Sequence, residues 1–334
     1  MSGRFLTMVV PVLNEADMIG PCLASLLPQL DPAWAELLVL DGGSTDGTRE
    51  LVGAAARANP VLRLIDNPAR LQSAACNLAA RLADKRATIL LRADAHALYP
   101  TDFVQRCLLA LTETGATSVV VPMRTVGIGG FQRAVAAAQN SRLGNGGSAH
   151  RAGGVSGFVD HGHHAAFDLA FFRALGGYDA EFTHNEDAEL DHRAGLAGGR
   201  VWMCRDAAIT YYPRATARSL ARQYLRHGAG RARTLFRHGL RPRPRQMMPL
   251  AVLISLATSL ALAPSWPLAL VLPGLYVGVC CLWGAVAALR ARDPWLLAMG
   301  PAAMIMHLAW AAGFLGHGLG YAIRPRPNLQ EATR

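Results

Sequence analysis

Leu37-Leu-Val-Leu-Asp41-Gly-Gly-Ser-Thr-Asp46-Gly-Thr48 is a short apolar run that ends in an acid and a glycine-rich turn. Four apolar residues in a row suit a strand covered on both faces. Working outward, Phe5–Leu13 is a second such run and closes on Asn14–Glu15. Between the two, Ile19, Cys22, Leu23, Leu26 and Leu27 recur at helical spacing, with Pro21 expected in the first turn, where its missing N–H does no harm. Downstream the pattern predicts a helix to about Ala58, a strand near Val61–Ile65, a helix marked by Leu71, Ala75, Leu78 and Leu82, and a strand at Thr88–Leu91. That strand runs into Arg92-Ala-Asp94-Ala-His96. Strands alternating with helices imply an α/β fold with a mostly parallel, doubly wound sheet. Ligands of such sheets gather beyond the C-terminal strand ends, where Asn14–Glu15, Asp41 and Asp94 all fall.

A fifth strand is expected at Ser118–Pro122, then a mobile glycine-rich loop at Gly144–Gly157. Short helices follow at Asp168–Leu175 and Asn185–Gly195, and short strands at Val201–Cys204 and Ala208–Tyr212. Six scattered cysteines without a C-x-x-C pair suggest neither a zinc site nor a disulfide framework. The first apolar stretch is too brief for a signal peptide, so the catalytic part is expected in the cytosol.

The charge sits elsewhere. The chain of 334 residues has 33 basic and 23 acidic side chains, a net of +10. Arg214–Arg245 contains ten arginines and no acid, which accounts for the whole excess. Arginines at 214, 218, 222 and 226 stand four apart with Leu220, Tyr224 and Leu225 between them, an amphipathic helix suited to the headgroup plane. From Met247 the chain is almost purely apolar to about Ile323, divided at Pro264–Pro267 and Arg290–Pro294. Two or three membrane spans fit, and three place Arg290 and Arg292 inside but Arg324 and Arg326 outside. The expected organisation is a catalytic domain over 1–213, a basic interfacial segment over 214–246, membrane helices over 247–323 and a tail over 324–334. No nucleic-acid recognition motif accompanies the arginines, so nucleic acid is not an expected partner.

Several polar clusters can carry chemistry. Asp41, at a strand end, suits hydrogen bonds from a nucleobase N–H or ribose hydroxyls, while Asp46 reads as a cap for the following helix. Asp94 and His96 can face one cavity and hold Mg2+ or Mn2+ against a diphosphate, imidazole favouring Mn2+; the plainer alternative is an Asp turn with a surface histidine. His184-Asn-Glu186-Asp187 opens a helix that also carries Glu189 and Asp191. Its acids suit either a helix N-terminus or a general base, Asp187 with Glu186 alongside. His161-Gly-His163-His164, expected in a loop, offers protons, metal ligands or phosphate contacts; the plainer alternative is a structural or solvent-facing role. Arg70 and Asn77 flank the helix after the third strand; either can reach the cavity, and a surface role is the equal alternative.

Val10-Pro11-Val12-Leu13-Asn14-Glu15, Asp41-Gly-Gly-Ser-Thr-Asp46-Gly-Thr48, Asp94-Ala-His96 and Glu186-Asp187, in that order, resemble family 2 glycosyltransferases of the GT-A fold. With the apolar C-terminal region, the chain is most similar to the bacterial exopolysaccharide-assembly branch of succinoglycan type. The resemblance implies inverting transfer from a nucleotide diphosphate sugar. Pro11, Asn14, Glu15 and Arg70 would then line the nucleotide pocket, Asp41 would touch the base, and Asp94 and His96 would hold the divalent metal. Asp187 would deprotonate the acceptor hydroxyl. His96 stands where the family's D-x-D motif has a second Asp. Gln223-x-x-Arg226 resembles the Q-x-x-R-W motif of processive synthases, but His227 replaces the Trp. Single addition to a polyprenyl diphosphate-linked saccharide is therefore expected, with His163, His164, Gln223 and Arg226 at the acceptor diphosphate. The implied location is the bacterial inner membrane, catalytic domain on the cytoplasmic side. The rivals are a processive synthase, transfer to polyprenyl phosphate itself, and an inactive membrane scaffold.

Overall fold

A computed structural model describes residues 4–146 and 155–323. Most of the Gly144–Gly157 loop, together with Arg324, Arg326 and the 324–334 tail, lies outside the described residues. Two compact units divide the chain: Met1–Ile128 with Gln139–Pro213, and Gly129–Ala138 with Arg214–Arg334.

The first unit begins β1 (Phe5–Val12), α1 (Ala16–Leu26), β2 (Ala35–Asp41), α2 (Thr48–Ala58), β3 (Leu62–Asp66), α3 (Gln72–Leu82), β4 (Ala87–Arg92) and β5 (Ala97–Leu98). It continues with α4 (Phe103–Thr114), β6 (Ser118–Val121) and β7 (Met123–Thr125). α5 (Gly130–Asn140) belongs up to Ala138 to the second unit. Then come α6 (Arg142–Asn145), β8 (Gly157–Val159), β9 (His163–Asp168), α7 (Leu169–Ala174), α8 (Glu186–Leu196), β10 (Val201–Met203) and β11 (Ile209–Tyr211).

The main sheet has the order β3-β2-β1-β4-β9-β6-β10-β8, and a small sheet has the order β5-β11-β7. β3, β2, β1 and β4 are parallel, and β6 and β10 share their direction. β9 and β8 run the other way. The apolar runs are buried on both faces. Met8, Val10, Leu37 and Val39 join one core cluster, and Val9, Leu38 and Leu40 the other. Each such side chain contributes about 1.5–3 kcal/mol when fully buried, which is why these strands lack polar alternation.

Three elements depart from expectation. Pro21 lies inside α1, beyond its first turn; burial of Ile19, Cys22, Leu23 and Leu26 on its two sides holds the helix through the lost N–H bond. α3 buries Ser73, Ala75, Cys76, Ala79 and Ala80 rather than the leucine stripe, leaving Leu82 exposed, because small side chains let it lie close to the sheet. His163–His164 stand in a strand, not a loop. β9 pairs antiparallel with both β4 and β6. Without β-branched residues, and behind a glycine, His-His-Ala-Ala-Phe gives little strand signal.

The second unit contains α5, α9 (Ala217–Arg237), α10 (Pro244–Leu262), α11 (Val271–Ala291) and α12 (Met299–Ile323). Pro244–Leu262, Pro267–Ala291 and Pro294–Gly320 are each long and apolar enough to cross a membrane. Arg133 of α5 pairs with Asp293 at 2.7 Å, which groups this segment with the helices. Within the basic segment, α9 ends at Arg237, ahead of Arg-Pro-Arg-Pro-Arg at 241–245. Its buried face, including Leu220, Gly228, Ala232 and Leu235, packs on α12 rather than on lipid. Its arginines at 218, 222, 226 and 237 stay exposed.

Glycines set the spacing of α9 and α12. A Cβ on Gly228 would meet the Trp310 carbonyl oxygen, and one on Gly313 the Leu225 carbonyl oxygen, each at 1.9 Å. Close backbone approach through small residues is the usual way apolar helices associate in lipid. Gly228→Ala and Gly313→Ala are each expected to cost about 1–3 kcal/mol through overpacking. Thermal unfolding of the detergent-solubilised chain measures this; an unchanged midpoint in both variants refutes the close packing.

Candidate active site

The strand order reverses beside β1, with β2 on one side and β4 on the other. That is the switch point at which open α/β sheets bind ligands. On the β2 side, the turn after β1 is stitched to the turn after β2. Asn14 N–H donates to Ser44 Oγ at 2.9 Å, and Thr45 N–H to Asn14 Oδ1 at 2.9 Å. Glu15 N–H donates to Thr48 Oγ1 at 2.8 Å and Ala16 N–H to Asp46 Oδ2 at 3.0 Å. Asp46 also accepts from Thr48 N–H at 3.0 Å, so it caps the starts of both α1 and α2 as a satisfied structural acid.

Asp41 does not present its carboxylate to the cavity as the sequence reading expects. Its side chain is fully enclosed, accepting from Gly43 N–H at 2.9 Å, Ser44 N–H at 3.1 Å and Arg49 Nη1 at 2.7 Å. Burial favours its neutral form, but the Ser44 and Arg49 bonds outweigh this and hold its pKa below the usual value. A strand-end acid followed by two glycines folds its turn onto itself, with Gly43 at φ +85°. The guanidinium of Arg70 lies over Gly43, 3.2 Å from where a Cβ would stand. Arg70 is exposed at this edge and Pro11 is half-buried.

On the β4 side the chemistry is concentrated around Arg92, whose side chain is only 4% exposed. Nη1 donates to Asp187 Oδ1 at 2.6 Å and to the Tyr178 hydroxyl at 2.9 Å. Nε lies 3.4 Å from Asp94 Oδ1, and Nη2 3.7 Å from Glu186 Oε1. Gln72 Nε2 donates to Asp94 Oδ1 at 2.7 Å, and His163 Nε2 lies 3.4 Å from Asp94 Oδ2. Thus Asp94, Glu186 and Asp187, from segments far apart in sequence, meet on one buried cation. Burial opposes the charge on Arg92, but Asp187 and then its other neighbours hold its pKa above the ordinary value.

The reversed direction of β9 explains its two histidines. A strand running against its neighbours begins where they end, so His163 and His164 enter at the C-terminal edge of β4. Pairing shifts from Val119 with Ala166 to Val120 with His164, a bulge with Ala165 as the extra residue, and bulges re-aim side chains beside active sites. His164 corrects the expected acceptor contact because its side chain is completely buried. Its Nδ1 lies 2.8 Å from the Tyr178 hydroxyl and 3.2 Å from Asp187 Oδ1, and its Nε2 lies 2.7 Å from Asp191 Oδ1. His161 Nδ1 lies 2.9 Å from Asp191 Oδ2. His163 is half-buried.

The four acids of α8 thereby separate by role. Glu189 pairs with Arg193 at 2.7 Å, which also donates to the Leu175 and Gly177 carbonyls. Asp191 holds the histidines. Glu186 and Asp187, following Asn185 at φ +67°, face Arg92. Burial, then repulsion from Asp187, raises Glu186 to about 7. Burial would raise Asp187 too, but Arg92 and His164 outweigh it and hold it well below the usual carboxylate range.

Sequence reading gives no role to Arg92, Tyr178, Gln72 or Asp191. An arginine closing an otherwise apolar strand was the available signal for the first. Asn77 does not reach the cavity; it clamps Tyr178, whose carbonyl and N–H it meets at 2.7 and 2.8 Å. Gln223 and Arg226 lie on α9 in the second unit, the former half-buried and the latter exposed.

His164 makes stability pH-dependent. Burial opposes its charge, but Asp191 and Asp187 push its pKa up to about 10. A folded-state pKa above the unfolded value of about 6.5 gives stability that is complete below that value and lost as pH rises through about 10. The unfolding midpoint is expected to fall between pH 7 and 10, and His164→Gln to flatten that slope. An equal slope in both proteins refutes it.

The fit of Asp94 and His96 to a divalent cation can be judged from their partners. His96 Nδ1 lies 3.1 Å from Glu15 Oε1, the carboxylate–imidazole pairing that orients a metal-ligating histidine through its other nitrogen. Asp94 Oδ2 lies 3.4 Å from His163 Nε2. No group of three or more His, Cys, Asp or Glu ligands occurs among the described residues, so two protein ligands fit a cation completed by phosphate oxygens and water.

A family profile described as Glycosyl transferase family 2 matches residues 7–176. The succinoglycan biosynthesis protein ExoA of Rhizobium meliloti (strain 1021) is 46% identical over 306 residues, 92% of this chain and 92% of that protein. Among solved structures, the mannosyltransferase PcManGT from Pyrobaculum calidifontis in complex with GDP-Man and Mn2+ superposes with a TM-score of 0.60 at 21% identity. It covers 96% of this chain and 88% of its own. S. aureus TarS 1-349 superposes with a TM-score of 0.51 at 16% identity, covering 94% and 92%. At those identities the two structures speak for the fold.

Proposed function

Because this chain belongs to glycosyl transferase family 2, we propose that it adds one sugar from a nucleotide diphosphate sugar to a polyprenyl diphosphate-linked saccharide, in assembly of a succinoglycan-type exopolysaccharide. It is a glycosyltransferase with a GT-A catalytic unit and C-terminal helices apolar enough to span a membrane. The observation that carries the reading is the meeting of Asp94, Glu186 and Asp187 on Arg92 at the ligand edge of the sheet. Likeness over nearly the whole length of a succinoglycan biosynthesis protein supports the pathway class.

The donor's nucleotide lies along the turns after β1 and β2, with Pro11, Asn14, Glu15 and Arg70 at its edge. Asp41 shapes that pocket by fixing the Gly43–Ser44 turn rather than by touching the base. Asp94 and His96 would hold Mg2+ or Mn2+, which when bound neutralises charge on the departing diphosphate. Asp187 accepts the acceptor's hydroxyl proton. Its Oδ1 is pinned by Arg92 and His164, and its side chain is 17% exposed against 10% for Glu186. Direct attack by that hydroxyl inverts the anomeric carbon. His163 borders the same site, while Gln223 and Arg226 are proposed for the acceptor's phosphates. Arginines ahead of the first apolar helix support a cytoplasmic catalytic unit at the inner membrane.

The full chain in native membranes, given labelled nucleotide sugars, is expected to yield one discrete lipid-linked product by mass spectrometry. Polymer of varied length would favour a processive synthase, and product on bare polyprenyl phosphate the simpler transferase. Asp94→Ala is expected to lower transfer by at least about 10²-fold and to weaken Mn2+ binding seen by electron paramagnetic resonance. Unchanged Mn2+ binding would remove Asp94 from the metal site.

A further inference from the structure

We propose that Gln72 is a positioning residue for the divalent cation: its amide occupies one oxygen of Asp94, so that the carboxylate meets the cation through the other. Gln72 is the first residue of α3 and is half-buried. The turn that leads to it is tied to the end of β2, because Asn67 N–H donates to the Asp41 carbonyl at 2.7 Å and Asn67 Nδ2 to the Leu71 carbonyl at 3.0 Å. From there Gln72 Nε2 donates to Asp94 Oδ1 at 2.7 Å, and Arg92 Nε adds a longer bond to the same oxygen at 3.4 Å. The peptide of Asp94 is fixed as well. Its N–H donates to the hydroxyl of buried Tyr99 at 2.5 Å, and that hydroxyl donates to its carbonyl at 3.1 Å.

With its backbone clamped and Oδ1 engaged, the Asp94 carboxylate cannot rotate freely, and Oδ2 is presented in one direction, bordered by His163 Nε2 at 3.4 Å. The donor is also neutral. A lysine or arginine at position 72 could bind the same oxygen, but it would set a positive charge beside a divalent cation; an amide fills the oxygen without that repulsion. His96 is held in the matching way by Glu15, at 3.1 Å. Two protein ligands hold a cation well only if each is pre-set, and the residues behind metal ligands ordinarily contribute about ten- to a hundredfold in affinity. The role of Gln72 rests on the reading of Asp94 and His96 as the cation's ligands.

Titration of the solubilised full chain with Mn2+ alone, followed by electron paramagnetic resonance, tests this. Gln72→Met removes the donor and keeps the length, while Gln72→Asn keeps the amide but draws it back by one methylene. Both are expected to weaken Mn2+ binding by about ten- to a hundredfold, with the metal-free unfolding midpoint close to that of wild type. Raising the Mn2+ concentration is expected to restore transfer in both. Equal Mn2+ affinity in wild type and both variants, with Asp94→Ala weakened, overturns the role of Gln72 and leaves the metal site standing. Weaker binding that appears only where the metal-free midpoint also falls marks a structural strut and overturns the role too. Affinity unchanged by Asp94→Ala as well removes the metal reading, and the role of Gln72 with it.

Discussion

Replacing Arg92 by methionine is expected to destabilise the catalytic unit by about 3–5 kcal/mol and to abolish transfer. Methionine fills much of the same volume but leaves Asp187, Glu186 and Asp94 without the cation on which they meet. Removing one partner of a buried ion pair is far more damaging than removing the pair, because the remaining charges stay desolvated. His164 remains beside Asp187, so part of the charge is still balanced. Arg92→Lys keeps the charge but supplies one ammonium where a planar fork serves Asp187, Tyr178 and Asp94. It is expected to recover part of the stability and little of the activity. Unfolding of the isolated enzyme at neutral pH measures this; an Arg92→Met midpoint within a degree of wild type contradicts the buried network.

Asp187→Asn is expected to lower turnover by about 10²–10⁴-fold, the range of a lost general base. The KM for the donor should change little, since the amide keeps the shape of the carboxylate. Glu186 gives the sign of the pH dependence. A carboxyl whose pKa is raised to about 7 loses its proton as pH rises through neutrality, and two carboxylates that repel each other titrate as a pair. Transfer should therefore climb with pH up to about 7, and Glu186→Gln should remove that acid limb. If Glu186→Gln is inactive while Asp187→Asn works, the base is Glu186 and Asp187 is its anchor. If both variants keep wild-type rates, neither is the base.

The apolar runs and the polar clusters that end them were legible because each is local. Strand burial is visible in four consecutive residues such as 37–40, and the turn after β2 declares itself by its two glycines. α9 was legible from its four-residue arginine spacing, and the apolar helices from length alone. The histidines were misplaced because strand pairing is not local: nothing near His163 states that it will lie between β4 and β6. Asp41 was assigned outward because a strand-end acid has no sequence mark that distinguishes facing a ligand from accepting its own turn's N–H groups.

By itself the sequence determined a parallel α/β unit with acids at its strand ends and a basic collar ahead of apolar helices, since periodicity, turn chemistry and charge are properties of neighbours in the chain. The tertiary structure decided which acid does what. Glu186, Asp187, Glu189 and Asp191 lie within six consecutive positions, yet they face Arg92, Arg193 and a pair of histidines. The proton affinity of a carboxylate is set by the charges and the burial around it in space, and for Asp187 those neighbours are Arg92 of β4 and His164 of β9, far from it in the chain.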